Sequence, residues 1–149
     1  MVAPMAPHAE DPPVVLLVEH DVDTRDLYSL VLARSGFAVE QATCGDEALQ
    51  KTKTLLPDVV VADITLPGMD GFALCREIKE DEHTAHIPVI AVTGYSSPDG
   101  PKEAQKAGFD RFFLKPCLPD DLIVALRLTV QETRAHRTGA PCCNPGSEG

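Results

Sequence analysis

Glu19, His20 and Asp21 follow one apolar run of this chain, Asp63 closes a second, Thr93 a third and Lys115 a fourth. A carboxylate at the end of a buried strand is costly unless something compensates it. Desolvation favours the neutral acid, and a metal or a cationic partner must restore the charge. Acids gathered on a loop edge suit a hard divalent cation, which takes oxygen ligands and, for magnesium, keeps several waters. The Lys115 ammonium can balance Asp63 in the absence of metal, and with the Thr93 hydroxyl it can hold the oxygens of a phosphoryl group. Phosphoryl transfer asks for little beyond in-line positioning and neutralised charge. A carboxylate can itself be the acceptor, giving an aspartyl phosphate. Asp63, Thr93 and Lys115 are therefore the candidate chemical set.

These side chains meet only if the strand ends that carry them lie on one edge. Val59 to Ala62 is rich in β-branched residues, with Pro57 before it and Pro67-Gly68 after, which predicts a strand buried on both faces. Similar runs at 14–18, 38–42, 89–92 and 111–114 alternate with helical patterns at 24–35, 45–55, 72–81, 101–107 and 119 to about 133. Asp23 is the expected N-cap of the first helix, Gly36 its stop, and Pro101 belongs to the first turn of the fourth. Strict alternation with short connections implies right-handed βαβ units, an α/β doubly wound parallel sheet and helices on both faces. Ligands of such sheets sit outside the carboxyl ends of the strands, where the strand order reverses.

Composition narrows the function classes. A net charge of -10 argues against binding a phosphate backbone, which needs clustered Lys and Arg. No apolar run approaches the roughly 20 residues of a membrane span, and the N-terminus lacks the order of a secretion signal, so a cytoplasmic location is expected. Five cysteines without metal-type spacing fit a reducing compartment: Cys44, Cys75 and Cys117 read as packing thiols and the pair Cys142-Cys143 as exposed ones. Residues 1–12, rich in Pro and Ala, read as a disordered tail, and residues 134–149, rich in Gly, Pro, Ser and Asn, as a flexible one. A tail of that length is too short for a DNA-binding domain, so output is expected through a partner protein. His83 and His86 are expected to have no role. Leu27, Leu30, Val31 and Ser35 read as the core-facing stripe of the first helix.

Leu16-Leu-Val-Glu-His-Asp21, Asp63-Ile-Thr-Leu-Pro-Gly-Met-Asp-Gly71, Ile87-Pro-Val-Ile-Ala-Val-Thr-Gly94 and Lys115-Pro116 resemble the receiver domain of two-component response regulators. The likeness covers nearly all of residues 13–133, with four motifs in the right order, each at a strand end. It implies a single (βα)5 flavodoxin-like domain with strand order 2-1-3-4-5, an order taken from the resemblance. It also implies that Asp63 accepts phosphate from a sensor histidine kinase or phosphotransfer protein and that the domain signals to a downstream effector protein. Such a domain is not an enzyme beyond phosphorylating and dephosphorylating itself.

By the same resemblance, Glu19, His20, Asp63 and the backbone carbonyl of Thr65 correspond to the Mg2+ site. Thr93 corresponds to the switch hydroxyl, Phe112 to the switch aromatic, Lys115 to the phosphate-gripping lysine, and Lys115-Pro116 to a cis peptide. Phe112 or Tyr95 is expected to move on activation. His20 departs from the pattern, which has an aspartate there. Imidazole brings no negative charge and is softer than Mg2+ favours. Three outcomes stay open: Asp21 reaches in, the site prefers Mn2+, or the domain is degenerate and acts as an interaction module without phosphorylation. A small phosphohydrolase with an aspartyl nucleophile is a distant alternative, because its second acid would stand where this chain has Thr65. Asp63→Asn is expected to abolish phosphate acceptance while leaving the fold intact, and to stabilise it by removing an uncompensated buried charge.

Overall fold

A computed structural model describes residues 11–94 and 97–137. Five strands, β1 (Val14–Val18), β2 (Ala38–Ala42), β3 (Val59–Ala62), β4 (Val89–Thr93) and β5 (Arg111–Leu114), alternate with five helices. These are α1 (Val22–Arg34), α2 (Gly45–Leu55), α3 (Gly71–Glu80), α4 (Gly100–Ala107) and α5 (Pro119–Arg137). The sheet is parallel throughout, in the order β2-β1-β3-β4-β5, the flavodoxin-like arrangement that the resemblance implies.

Side-chain alternation along the central strands splits the core into two layers. Leu16, Val18, Val60, Ala62, Val89 and Ala91 face α2, α3 and α4, where Ala48, Leu74, Ile78 and Ala104 meet them. Val15, Leu17, Val59, Val61, Ile90 and Val92 face α1 and α5, against Tyr28, Leu32, Leu122 and Leu126. Each large aliphatic side chain withdrawn from water contributes roughly 1.5–3 kcal/mol. The core strands therefore hold the fold, and the loops at their carboxyl ends are left to carry polar groups.

Several local expectations need correcting. Asp21, not Asp23, caps α1: its Oδ2 accepts from the Thr24 amide at 2.9 Å and from the Thr24 hydroxyl at 2.7 Å. A cap carboxylate bonds the amide two or three residues on, and Asp23 falls instead in the first turn, where its charge faces the positive helix end. The expected core stripe of α1 is also displaced. Leu27 and Leu30 are 52% and 51% exposed, while Tyr28 and Leu32 are buried and Val31 packs at their margin. The apolar count favoured the leucines, but the inward face covers polar loops at its N-terminal end and recruits Arg25 and Tyr28 there.

The last helix runs through Arg137, beyond the predicted end near Thr133. The Arg134 guanidinium donates to the Asp11 carbonyl at 3.1 Å and lies 3.8 Å from the Asp58 carboxylate, which pins that turn. Gly36 stands past the end of α1 with φ +99°, a left-handed conformation that suits glycine. Cys75 is buried, and burial pushes its thiol up to about 12, in keeping with a packing role; Cys44 and Cys117 are half-buried. Cys142, Cys143, Tyr95 and residues 138–149 lie outside the described residues, as do residues 1–10 of the N-terminal tail. No helix among the described residues is long and apolar enough to cross a membrane.

Candidate functional site

The parallel ladder continues one residue past three strands and so fixes the polar residues at its carboxyl edge. Glu19 donates its amide to the Ala42 carbonyl at 3.0 Å, Asp63 to Val18 at 3.1 Å, and Lys115 to Thr93 at 2.8 Å. Backbone register, rather than side-chain preference, places these groups opposite one another.

Every oxygen of the Asp63 carboxylate has a donor. Oδ1 accepts from the Thr93 hydroxyl at 2.5 Å and from the Thr65 amide at 3.0 Å, and Oδ2 accepts from Lys115 Nζ at 3.0 Å. The same ammonium donates to Glu19 Oε1 at 2.7 Å, while Glu19 Oε2 accepts from the Asp21 amide at 3.0 Å. Glu19, Asp63 and Thr93 are buried; the Lys115 side chain is 24% exposed. The buried charge of Asp63 is thus compensated, which removes the ground for expecting Asp63→Asn to stabilise the fold.

Burial alone would lower the Lys115 pKa, but its hydrogen bonds to Glu19 and Asp63, with the charges of both, outweigh that and hold it above the ordinary lysine value. The ammonium stays charged at neutral pH, and one cation serves two carboxylates. A phosphoryl group arriving at Asp63 would find the hydroxyl and the ammonium already directed at the acceptor.

The acidic loop is less simply arranged. His20 is exposed, and its carbonyl accepts from Arg25 Nη1 at 3.4 Å. Asp21 is exposed and committed to Thr24, whose side-chain and backbone hydrogen bonds hold its carboxyl below the usual range. In this conformation it does not take the place of an inward acid. Thr65 is exposed, and Phe112 is partly buried against the layer containing Leu16 and Val60. Lys115-Pro116 is cis. His83 is exposed with Nδ1 3.3 Å from Asp81, and His86 is exposed; neither is near the acceptor edge's hydrogen-bonded set.

Among the described residues no group of three or more His, Cys, Asp or Glu side chains forms a ready metal cluster. The donor chemistry nevertheless fits a hard dication. Two buried carboxylates, Glu19 and Asp63, already converge on a single cationic group. Oxygen donors of this kind are what Mg2+ takes, with water completing its shell.

Three residues at the edge carry roles that the sequence reading missed. Arg25 and Tyr28 reach from α1 to the loops holding Glu19 and Lys115. Gly71 lies so close to the Asp63 backbone that an added Cβ would stand 2.5 Å from the Asp63 carbonyl oxygen. The Asp-Gly pair opening α3 was the available signal for Gly71. Neither α1 residue has one, because both look like ordinary helix residues.

A family model described as the response regulator receiver domain matches residues 15–127. The chain is 30% identical over 121 residues to the DNA-binding dual master transcriptional regulator RpaA of Synechocystis, an alignment covering 81% of this chain and 50% of that protein. It is 36% identical over 109 residues to an uncharacterized 14.6 kDa protein from the sodA1 3' region of Leptolyngbya boryana, covering 73% of this chain and 83% of that one. It thus spans half the length of the first relative and most of the second. Among solved structures, a CheY-like response regulator receiver domain protein from Methanospirillum hungatei superposes with a TM-score of 0.78 at 27% identity, covering 84% of this chain and 98% of that one.

Proposed function

The chain belongs to the response regulator receiver domain family, and from that premise we propose that Asp63 accepts a phosphoryl group from a sensor histidine kinase or phosphotransfer protein and that the domain signals through a changed protein-interaction surface. The observation that carries this reading is the saturation of the Asp63 carboxylate by Thr93, Thr65 and Lys115. In the transfer, a new bond forms between an Asp63 oxygen and phosphorus. The phosphorus–nitrogen bond of the donor histidine breaks, and its electron pair stays with the imidazole. Thr93 and Lys115 then hold phosphoryl oxygens in place of the carboxylate.

Receiver domains generally bind Mg2+; here Glu19, His20, Asp63 and the Thr65 carbonyl would hold it, and when bound it supplies positive charge against the acceptor and the transferred group. Phe112, which pairs with Ala91 across β4–β5, two residues before Thr93 on its strand, turns inward as the hydroxyl moves. The surface over α4 and β5 changes with it, through a shift between two populations. The readers of that surface are effector proteins in the cytosol.

Incubation with acetyl phosphate and Mg2+ or Mn2+, followed by intact-mass measurement, is expected to add about 80 Da, one phosphoryl group. Asp63→Asn is expected to take up none while remaining folded. No adduct with either metal would defeat the proposal and leave the second reading, an interaction module that works without phosphorylation. That reading draws on the exposed His20 and on the capping role of Asp21. His20→Asp tests the metal side of the site: calorimetric titration is expected to show Mg2+ bound about tenfold more tightly, as a hard, charged oxygen replaces imidazole. An unchanged or weaker affinity would put position 20 outside the metal shell.

A further inference from the structure

We infer that Arg25 and Tyr28, one helical turn apart on the inner face of α1, are positioning residues that brace the two loops carrying Glu19 and Lys115. The inference rests on the phosphoryl-acceptor reading for its consequence, although its geometry does not. Arg25 Nη1 donates to the Glu19 carbonyl at 3.0 Å and to the His20 carbonyl at 3.4 Å. The Tyr28 hydroxyl donates to the Cys117 carbonyl at 2.9 Å, and the ring is buried at 7% exposure.

Both contacts begin where the sheet stops ordering the backbone. The Glu19 amide makes the last ladder bond after β1, and the Lys115 amide makes the last one after β5. Pro116 follows with no N–H to offer, so the backbone of that loop cannot extend the ladder. A side chain from outside has to fix it, and Tyr28 does so two residues beyond Lys115. Arg25 does the same for the acidic loop, spending a charged fork on carbonyls. Its Nε is buried with no hydrogen-bond partner among the described residues, so the Nη1 bonds carry the contact. Burial raises the Tyr28 pKa, so the phenol remains a neutral donor at physiological pH.

One helix is thus tied to the Glu19 backbone and, two residues past Lys115, to the loop that carries the other partner of the 2.7 Å Glu19–Lys115 bond. Loosening either tie displaces one partner relative to the other, and with it the ammonium on Asp63. The sequence stripe of leucines on α1 points outward for the same reason: the inward positions are taken by the two tethers.

The test compares Arg25→Lys and Tyr28→Phe with Asp26→Ala, an exposed position of the same helix. Rates of adduct formation from acetyl phosphate are measured where all variants are fully folded, alongside amide NMR spectra recorded without phosphate. Arg25→Lys is expected to shift the amides of residues 19–21, and Tyr28→Phe those of Lys115 and Cys117. Each is expected to slow the maximal rate about tenfold while leaving half-saturation by acetyl phosphate unchanged. Asp26→Ala should do neither. Variants that lose thermal stability yet keep the wild-type rate and unmoved amides at both loops would overturn the brace. If the wild-type protein takes no phosphate, the acceptor reading fails, and the amide shifts alone decide the brace. Should Arg25→Lys not fold, Tyr28→Phe, which removes a single oxygen, decides it.

Discussion

Lys115→Met is expected to destabilise the protein by about 3 kcal/mol at neutral pH, because removing one partner of a buried ionic cluster strands the charges left behind. The two carboxylates that would be stranded are nearly inaccessible, with side-chain exposures of 6% for Glu19 and 9% for Asp63. The partial exposure of Lys115 itself, 24%, keeps the expected loss at the lower end of the range for such clusters. Methionine retains much of the aliphatic stem, so the change reports charge more than packing. Urea unfolding of Lys115→Met, Asp63→Asn and the double variant isolates the interaction. The double variant should be distinctly more stable than the sum of the single losses predicts, since Asp63→Asn removes one stranded charge. Strict additivity would mean that the 3.0 Å contact carries no energy.

The same cluster has a pH signature whose sign follows from the raised Lys115 pKa. A lysine with a higher pKa folded than unfolded adds stability that is complete below the unfolded value, about 10.4, and is lost as the pH climbs through the folded value. Wild-type stability should therefore contain an alkaline decline from this group. Lys115→Met should lack that component, and a parallel decline in both proteins would assign it elsewhere.

The sheet and the polar edge were legible because both rest on strong local patterns. Continuous β-branched runs such as Val59–Ala62 declare a strand buried on two faces, and an acid after such a run, alone no more than a cap, gains chemical meaning from the hydroxyl and the ammonium that end the neighbouring runs. Alternation with helices then dictates that these ends share an edge. What escaped notice depended on contacts between distant segments. Apolarity named Leu27 and Leu30 for the core, yet the inner face of α1 meets loop carbonyls at its N-terminal end, where Arg25 and Tyr28 do what leucine cannot. Asp21 and Asp23 are equally good caps by type, and only the turn geometry after Glu19 chooses between them. That Lys115 serves Glu19 as well as Asp63 was likewise invisible, because the three groups are brought together from residues 19, 63 and 115.

Gly71→Ala is expected to combine a loss of about 2–3 kcal/mol in stability with a strongly reduced rate of phosphate acceptance, since the added methyl would overpack a site bounded by backbone. Its Cβ would stand 2.5 Å from both the Asp63 carbonyl oxygen and the Ile64 Cα. Those atoms cannot rotate aside as a flexible side-chain tip would. Alanine is favoured over glycine inside a helix by about 1 kcal/mol, and Gly71 opens α3, so the clash must exceed that gain for the sign to hold. Relief requires α3 to move away from the β3 end, but the Gly71 amide is bonded to the Ile64 carbonyl at 2.7 Å, and Asp70 is fixed by capping Ala73 at 2.8 Å. The least resisted motion is therefore of Asp63 itself, away from Thr93 and Lys115. Gly94→Ala provides the comparison, because its Cβ would meet nothing within 4 Å; its stability should stay within about 0.5 kcal/mol of wild type. Equal stability of the two variants in urea would show that the β3–α3 loop relaxes freely, and the acceptor carboxylate would then owe its place to the ladder and its hydrogen bonds alone.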